Sequence, residues 1–471
     1  MMNAECRAKT GSFSRLRSAF CILASAILLA VAAYAAAAAP PNIVFLISDD
    51  QSSFSLGCYG GENRTPNLDR LAEDGVRFTN AFVASPQCSP SRSAMLTGQS
   101  PHRTNTSRLH MPLRGPFPTL MEMLKPAGYY TGGFKKHHLG PDLRDKFDFY
   151  QNNKNWAAFF DKRPKDKPFF LWVGFTDPHR DYEPGAASPP HDPKDVKVPP
   201  FLPDTPQVRA DLALYYDAIT RMDADAGAIL ALLDKHGLAD NTLVFFFGDN
   251  GMPFPGAKGT LYDPGIRVPL IVRWPAGKVS GGRTSSALVS LYDLFPTCLD
   301  IAAVSRHTEP EGGVSIKPLL LGDDKPLHRE IFAERNWHDN FDPARCVRTD
   351  RFKLIYYCRP EVPYAPITDL ARSPTWQSIL SLHDAKTLSP EMERRFFQAP
   401  RPTFALYDLK VDPNETTNLA DDPAHTATRK DLEARLSKWM DATNDFLPSP
   451  AVADRAAHRN DNEPAATMRT R

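Results

Sequence analysis

The chain has 471 residues, 42% of them hydrophobic and 10% aromatic, enough for a sizeable core and more than one domain usually holds. With 56 Lys and Arg against 55 Asp and Glu, the formal net charge is +1. That excludes recognition of nucleic acid or an anionic membrane by bulk charge, so any anion site must be local.

The first 39 residues read as a cleavable secretory signal. Arg7, Lys9, Arg15 and Arg17 give a basic start, and residues 19–31 an apolar stretch too short for a spanning helix. Residues 35–39 follow as an alanine tract suited to a signal peptidase. The expected mature protein is exported, periplasmic or extracellular (lysosomal in a eukaryotic host), with no membrane contact once the signal is gone. Cys6 and Cys21 leave with the signal. Cys346 and Cys358 flank a strand-rich stretch and could pair in an oxidising compartment.

Residues 42–47 form a continuous apolar run of the kind a buried parallel strand shows, and it stops at Ser48-Asp49-Asp50. An amphipathic helix follows over 66–75. Cys88-Ser89-Pro90-Ser91-Arg92 reads as a helix start, because Pro90 suits a first turn where a missing N–H costs nothing. Free N–H groups there favour negative charge and Arg92 adds a cation, so position 88 sits where an anion is stabilised. A weaker strand near 129–131 leads to Lys135-Lys136-His137-His138, and one over 168–173 runs to Thr176-Asp177-Pro178-His179-Arg180. The clearest helix spans 206–236, with Leu212, Tyr215, Ile219, Met222 and Ala226 at helical spacing and Gly237 as its stop. A strand over 242–247 ends at Gly248-Asp249-Asn250-Gly251, and the glycine- and proline-rich loop 253–260 carries Lys258. Past residue 330 the chain changes character. Residues 345–349, 352–357 and 405–409 look like antiparallel strands, a helix covers 427–446, and 448–471 reads as a disordered tail.

Strands alternating with helices mean an α/β sheet, with ligands bound beyond the carboxyl ends of the strands. Four such strands end in polar residues. Asp49, Asp50, Asp249 and Asn250 are oxygen donors, and three crowded carboxylates would repel without a hard divalent cation such as calcium or magnesium. Arg92, Lys136, His138, His179 and Lys258 are the complementary bases. Singly each would be a solvated surface charge; together around one nucleophile they describe a site for a tetrahedral oxyanion, sulfate or phosphate.

Cys88-Ser89-Pro90-Ser91-Arg92 with Leu96-Thr97-Gly98 resembles the signature of type I, formylglycine-dependent sulfatases of the alkaline-phosphatase superfamily. So do residues 42–50, Thr65-Pro66-Asn67-Leu68-Asp69-Arg70-Leu71-Ala72 and Asp249-Asn250-Gly251. Residues 135–141, 177–180, 198–213 and 250–255 look like the heparan N-sulfatase (sulfamidase) branch. The resemblance runs from residue 41 to about 445. It implies a large, mostly parallel sheet flanked by helices in a catalytic domain over 40–335. A smaller C-terminal antiparallel-sheet α+β domain over 336–447 would lie across the active-site mouth.

The resemblance also implies roles. A formylglycine-generating maturation enzyme would oxidise Cys88, and the hydrated aldehyde would attack sulfur. Asp49, Asp50, Asp249 and Asn250, with the modified Cys88, would hold one calcium ion. Arg92 and Lys136 would stabilise the hydrate, and His138 would assist collapse of the sulfated hemiacetal. Lys258 and His179 would bind sulfate, with His179 the candidate general acid. Arg180, His338, Asp339 and Arg345 are candidate substrate contacts. The implied partner is a sulfated saccharide, with N-sulfoglucosamine at a chain end the favoured substrate. Lys258 departs from the arginine of the mammalian sulfamidase, which leaves O-sulfate esters open. A phosphodiesterase or phosphonate hydrolase of the same fold, and a silent glycan-binding protein whose Cys88 stays a thiol, are the rivals. A homodimer is also left open.

Overall fold

The computed structural model describes residues 39–305 and 311–445. The signal expected at 1–39, apart from Ala39, and the tail expected at 448–471 lie outside them. The larger sheet is built from β1 (Asn42–Ser48), β2 (Val76–Phe82), β3 (Tyr130–Lys135), β4 (Phe149–Gln151), β5 (Phe169–Gly174), β6 (Thr242–Gly248), β7 (Arg267–Arg273), β8 (Arg283–Ser285) and β9 (Val289–Ser290). Its order is β4-β3-β5-β1-β6-β7-β2-β8, with β9 also on β2. Only β7 runs antiparallel to its neighbours, so the sheet is mostly parallel, as the strand–helix alternation predicts.

β1 sits between β5 and β6, and all three are buried along their whole length. A strand covered on both faces has no polar side to alternate, which is why these read as continuous apolar runs. Ile43, Phe45 and Ile47 point into one core, and Val44 and Leu46 into the other. Phe45 meets Phe170, Phe245 and Phe247 edge-on with centroids 5.2–5.3 Å apart. Truncating such a ring costs roughly 3–5 kcal/mol.

Helices close both faces. α1 (Pro66–Glu73) starts where Asp223 accepts hydrogen bonds from the Asn67 and Leu68 amides. α2 (Cys88–Thr97) sends Met95 and Leu96 into the first core. α3 (Pro206–Lys235) is capped by the Thr205 hydroxyl accepting from the Val208 amide, and it lays Leu212, Tyr215, Ile219 and Met222 on the second core.

The smaller sheet, β10 (Glu330–Trp337), β11 (Phe341–Thr349), β12 (Phe352–Tyr357) and β13 (Phe404–Asp408), is antiparallel in that order. Between β12 and β13 the chain inserts α4 (Thr368–Ala371), α5 (Pro374–Asp384) and α6 (Pro390–Phe397). α7 (Thr426–Ala442) packs Leu432, Leu436 and Trp439 against Val347 and Leu354.

One expectation is corrected here. Cys346 and Cys358 are free thiols. Cys346 stands opposite Ile355, whereas the Cys358 amide bonds to the Pro343 carbonyl, three residues further along the ladder. Three residues of strand are about 10 Å, beyond the reach of a disulfide.

Candidate active site

β1 and β6 pair in register up to Ser48 opposite Gly248, so the residues that follow each strand emerge side by side. Asp49 and Asp50 leave one strand end, Asp249 and Asn250 the other. Asp50 has φ 69°, a left-handed conformation uncommon for a residue with a side chain. Its amide donates to Asp249 Oδ1 at 2.9 Å, and Asn250 Nδ2 donates to Asp50 Oδ1 at 2.8 Å. The Cys88 thiol lies 3.7 Å from Asp50 Oδ1. One ligand atom from each of Asp49, Asp50, Cys88 and Asp249 lies within 4.8 Å of the others. This donor set fits a hard divalent cation. Asp49 Oδ1 and Asn250 Oδ1 are buried without a hydrogen-bond partner, a condition that asks for another ligand.

Each acid is held by a base at hydrogen-bond distance. Arg92 Nε donates to Asp249 Oδ2 at 2.8 Å, Lys136 Nζ to Asp49 Oδ2 at 2.6 Å, and Lys258 Nζ to Asp50 Oδ2 at 2.6 Å. All of α2 is buried, and Ser89 Oγ accepts from the His110 amide at 2.8 Å, tying the helix start to the next loop. Gly174 ends β5 because nothing larger fits. A Cβ there would stand 1.8 Å from the Lys136 carbonyl and 2.8 Å from Arg92 Nη1. The Arg92 guanidinium also donates to that carbonyl, at 2.7 Å.

Further bases lie outward of these pairs. His138 Nε2 and His110 Nδ1 share a hydrogen bond of 2.6 Å. Burial, then Lys136 and each other's charge, pushes the His138 imidazole well below its ordinary value, so it is held neutral. His179 Nδ1 faces the Arg180 carbonyl, and its Nε2 lies 3.7 Å from Asp50 Oδ2 and 3.6 Å from Asp369 Oδ2. Lys258 bridges the same two carboxylates, reaching Asp369 Oδ2 at 2.9 Å. Burial works against its ammonium, but Asp50 and Asp369 hold it well above the usual lysine range. His338 Nδ1 pairs with Asp339 Oδ2 at 3.1 Å, and that oxygen also accepts from the Thr368 amide. His338, Asp339 and Asp369 form one cluster at the rim.

Two residues missed by sequence reading, His110 and Asp369, stand among these groups. His110 sits in an irregular loop, and Asp369 is 111 residues from the lysine it holds, so no local pattern marks either. Two candidate substrate contacts are corrected. Arg180 is buried. Its Nη atoms clamp Asp211 at 2.7 Å each, its Nε donates to the Pro253 carbonyl, and it lies against Tyr182 and Phe254. These contacts brace the loops around it. Arg345 is fully buried, paired with Asp445 and near Glu334, and bonded to the Arg335 and Ala344 carbonyls. None of those partners belongs to the site.

Comparison with known proteins gives two matching family models. One described as Sulfatase matches residues 41–165 and 154–304, and one described as N-sulphoglucosamine sulphohydrolase, C-terminal, matches 257–399. Human N-sulphoglucosamine sulphohydrolase is 33% identical over 461 residues, 86% of this chain and 90% of that protein. An ulvan-active sulfatase of Formosa agariphila is 30% identical over 483 residues, covering 90% and 79%. Among solved structures, a protein in complex with its substrate D-glucosamine-2-N,6-O-disulfate superposes with a TM-score of 0.67. It is 20% identical and covers 87% of this chain and 99% of that one.

Proposed function

The chain belongs to the sulfatase family, and on that premise we propose that it is an exported, calcium-dependent sulfohydrolase releasing N-sulfate from glucosamine at the end of a sulfated saccharide. One observation carries the choice of N-sulfate. Residues 257–399, which bring Lys258, His338, Asp339 and Asp369 to the rim, match the C-terminal model of N-sulphoglucosamine sulphohydrolase. Glycan O-sulfate is the second reading, favoured by the likeness to an ulvan-active sulfatase.

Asp49, Asp50, Asp249 and Asn250, with the side chain at position 88, would hold calcium, whose charge would steady a sulfuryl oxygen. Conversion of Cys88 to formylglycine would supply a hydrated carbonyl as nucleophile at the start of α2. Arg92 and Lys136 keep Asp249 and Asp49 in place and set positive charge beside position 88. Lys258 Nζ and His179 Nε2 face the same space and bind the outer sulfuryl oxygens, where developing negative charge is best met by fixed donors. His179 Nδ1 donates to a carbonyl oxygen, so in the imidazolium the second proton sits on Nε2, aimed at the leaving group. Neutral His138, its ring fixed by His110, is set to take a proton at position 88.

The test is a release screen with protein whose residue-88 peptide has been checked by mass spectrometry for loss of the thiol. N-sulfoglucosamine, glucosamine and galactose O-sulfates, and matched aryl sulfate and aryl phosphate would be compared. Fastest release from N-sulfoglucosamine is expected. Faster cleavage of the O-sulfates moves the assignment to a glycan O-sulfatase, and dominant phosphate turnover refutes a sulfatase role. A residue-88 peptide that keeps its thiol, with no release from any substrate, would leave the glycan-binding reading.

A further inference from the structure

Asp369 is a carboxylate beside an anion site, held there by two bases: Lys258 Nζ donates to it at 2.9 Å and His179 Nε2 lies 3.6 Å away. It lies outward of the metal-type cluster, across Lys258 and His179 from Asp50. Its side chain is 21% exposed, whereas Asp50 is 0% and Lys258 1% exposed, so it faces the mouth while they face inward. Asp369 is also delivered deliberately. The insertion that carries it is pinned to α3 by Thr375 Oγ1 on Asp211 at 2.5 Å and by the Thr205–Ser378 hydroxyl pair at 2.9 Å. Asp211 is the residue that Arg180 clamps. The buried brace mistaken in sequence for a substrate contact therefore holds the segment that presents Asp369.

We propose that Asp369 is a specificity-determining residue that contacts the leaving nitrogen and makes the site prefer sulfamate to sulfate ester. This rests on the sulfohydrolase reading above and deepens it. With sulfur held against position 88 by Lys258 and His179, the leaving atom falls on their outer side, next to Asp369. As the oxygen nucleophile at position 88 bonds to sulfur, the S–N bond breaks with its electron pair left on nitrogen, and the Nε2 proton of the His179 imidazolium completes the amine. A second proton, from water, makes it an ammonium. A carboxylate stabilises that cation by a charge-assisted hydrogen bond. A leaving alcohol oxygen gains no positive charge and receives no such help. The same carboxylate, with Asp339 beside it, repels a second sulfate or a uronate at that position.

The experiment compares wild type with Asp369→Asn on N-sulfoglucosamine and on an aryl O-sulfate. The N-over-O ratio of kcat/KM is expected to fall about tenfold or more, whatever loss the two substrates share through a loosened Lys258. A parallel fall, or none, overturns the proposal, because a residue that merely positions Lys258 would affect both substrates alike. Inhibition supplies a second readout that does not depend on the variant folding. Glucosamine should inhibit wild type about tenfold more tightly than glucose, and equal inhibition overturns the contact. Failure of wild type to release sulfate from either substrate would sink the sulfohydrolase reading instead. Calorimetric binding of glucosamine against glucose to that same protein would still decide Asp369.

Discussion

Cys88 is a poor nucleophile as a thiol. Burial pushes its ionisation well above the ordinary cysteine range; Lys136 and Lys258 oppose that, and the charges of Asp249 and Asp50 add to it. A buried thiol in that state packs like a small apolar group, yet it stands at the start of a helix amid three bases. Cys88→Ala removes little packing and all of the chemistry. Turnover is expected to fall roughly a thousandfold or more, with the circular-dichroism spectrum and Tm nearly unchanged. An active Cys88→Ala protein would dispose of position 88 as the nucleophile. Asp369 shows the complementary lesson. Burial opposes its charge, but Lys258, His338 and His179 keep it a carboxylate at the mouth of an anion site.

Among the elements, the ends of β3 and β5 control the site more than their middles do. Lys135 pairs with Gly174, and the next residue, Lys136, turns back to place its carbonyl on Arg92 and its ammonium on Asp49. Lys135 and His138 both take positive φ on either side of it, 57° and 63°, so the turn is tightly specified. Gly174→Ala would drive a methyl into the Lys136 carbonyl. A displacement of an ångström in a positioning group costs about a hundredfold in rate, so kcat/KM should fall by at least about that factor. The measurement is kcat/KM beside Tm, and full activity in Gly174→Ala would show that the close approach is relaxed elsewhere. The small sheet is locked to the large one by similar means. Lys353 of β12 bonds to Asp263 and Glu415 and to the Leu261 carbonyl, three residues past Lys258.

Across the whole molecule, two charge systems set stability. Removing calcium by exhaustive chelation should lower Tm along with activity, and added calcium should restore both. A ligand bound only by the native state contributes about 2.7 kcal/mol at a hundred times its Kd. Unchanged Tm and activity would remove the metal from the mechanism. The second system ties the loop after α2 to the small sheet and the end of α7. His102 Nδ1 pairs with Glu334 at 3.0 Å, with Arg345, Asp445 and Asn336 around them and the Trp439 ring against His102. Burial opposes both charges, but His102 lowers Glu334 to about 2, and Glu334 raises His102. The depressed Glu334 contributes stability above its ordinary 4.5 that is lost as pH falls toward 2. The raised His102 contributes stability in full below 6.5 that is lost as pH rises through its higher folded value. Tm should therefore peak between these limits. His102→Gln should lower the peak and flatten the alkaline fall, and superimposable Tm–pH curves would contradict this coupling.

The amino-acid pattern alone determined the central strands, the helix that opens at Cys88 and the oxygen-donor pairs closing β1 and β6. Burial on both faces and the fixed φ of proline are written in neighbouring residues. Only the tertiary structure decided which charges meet. Register placed Asp49-Asp50 beside Asp249-Asn250. Chain crossings brought His110 to His138 across 28 residues and Asp369 to Lys258 across 111. They also gave Arg180 and Arg345 their carboxylates 31 and 100 residues away, turning two apparent ligand contacts into braces. An ion pair depends on which elements become neighbours, and short-range periodicity carries no record of that.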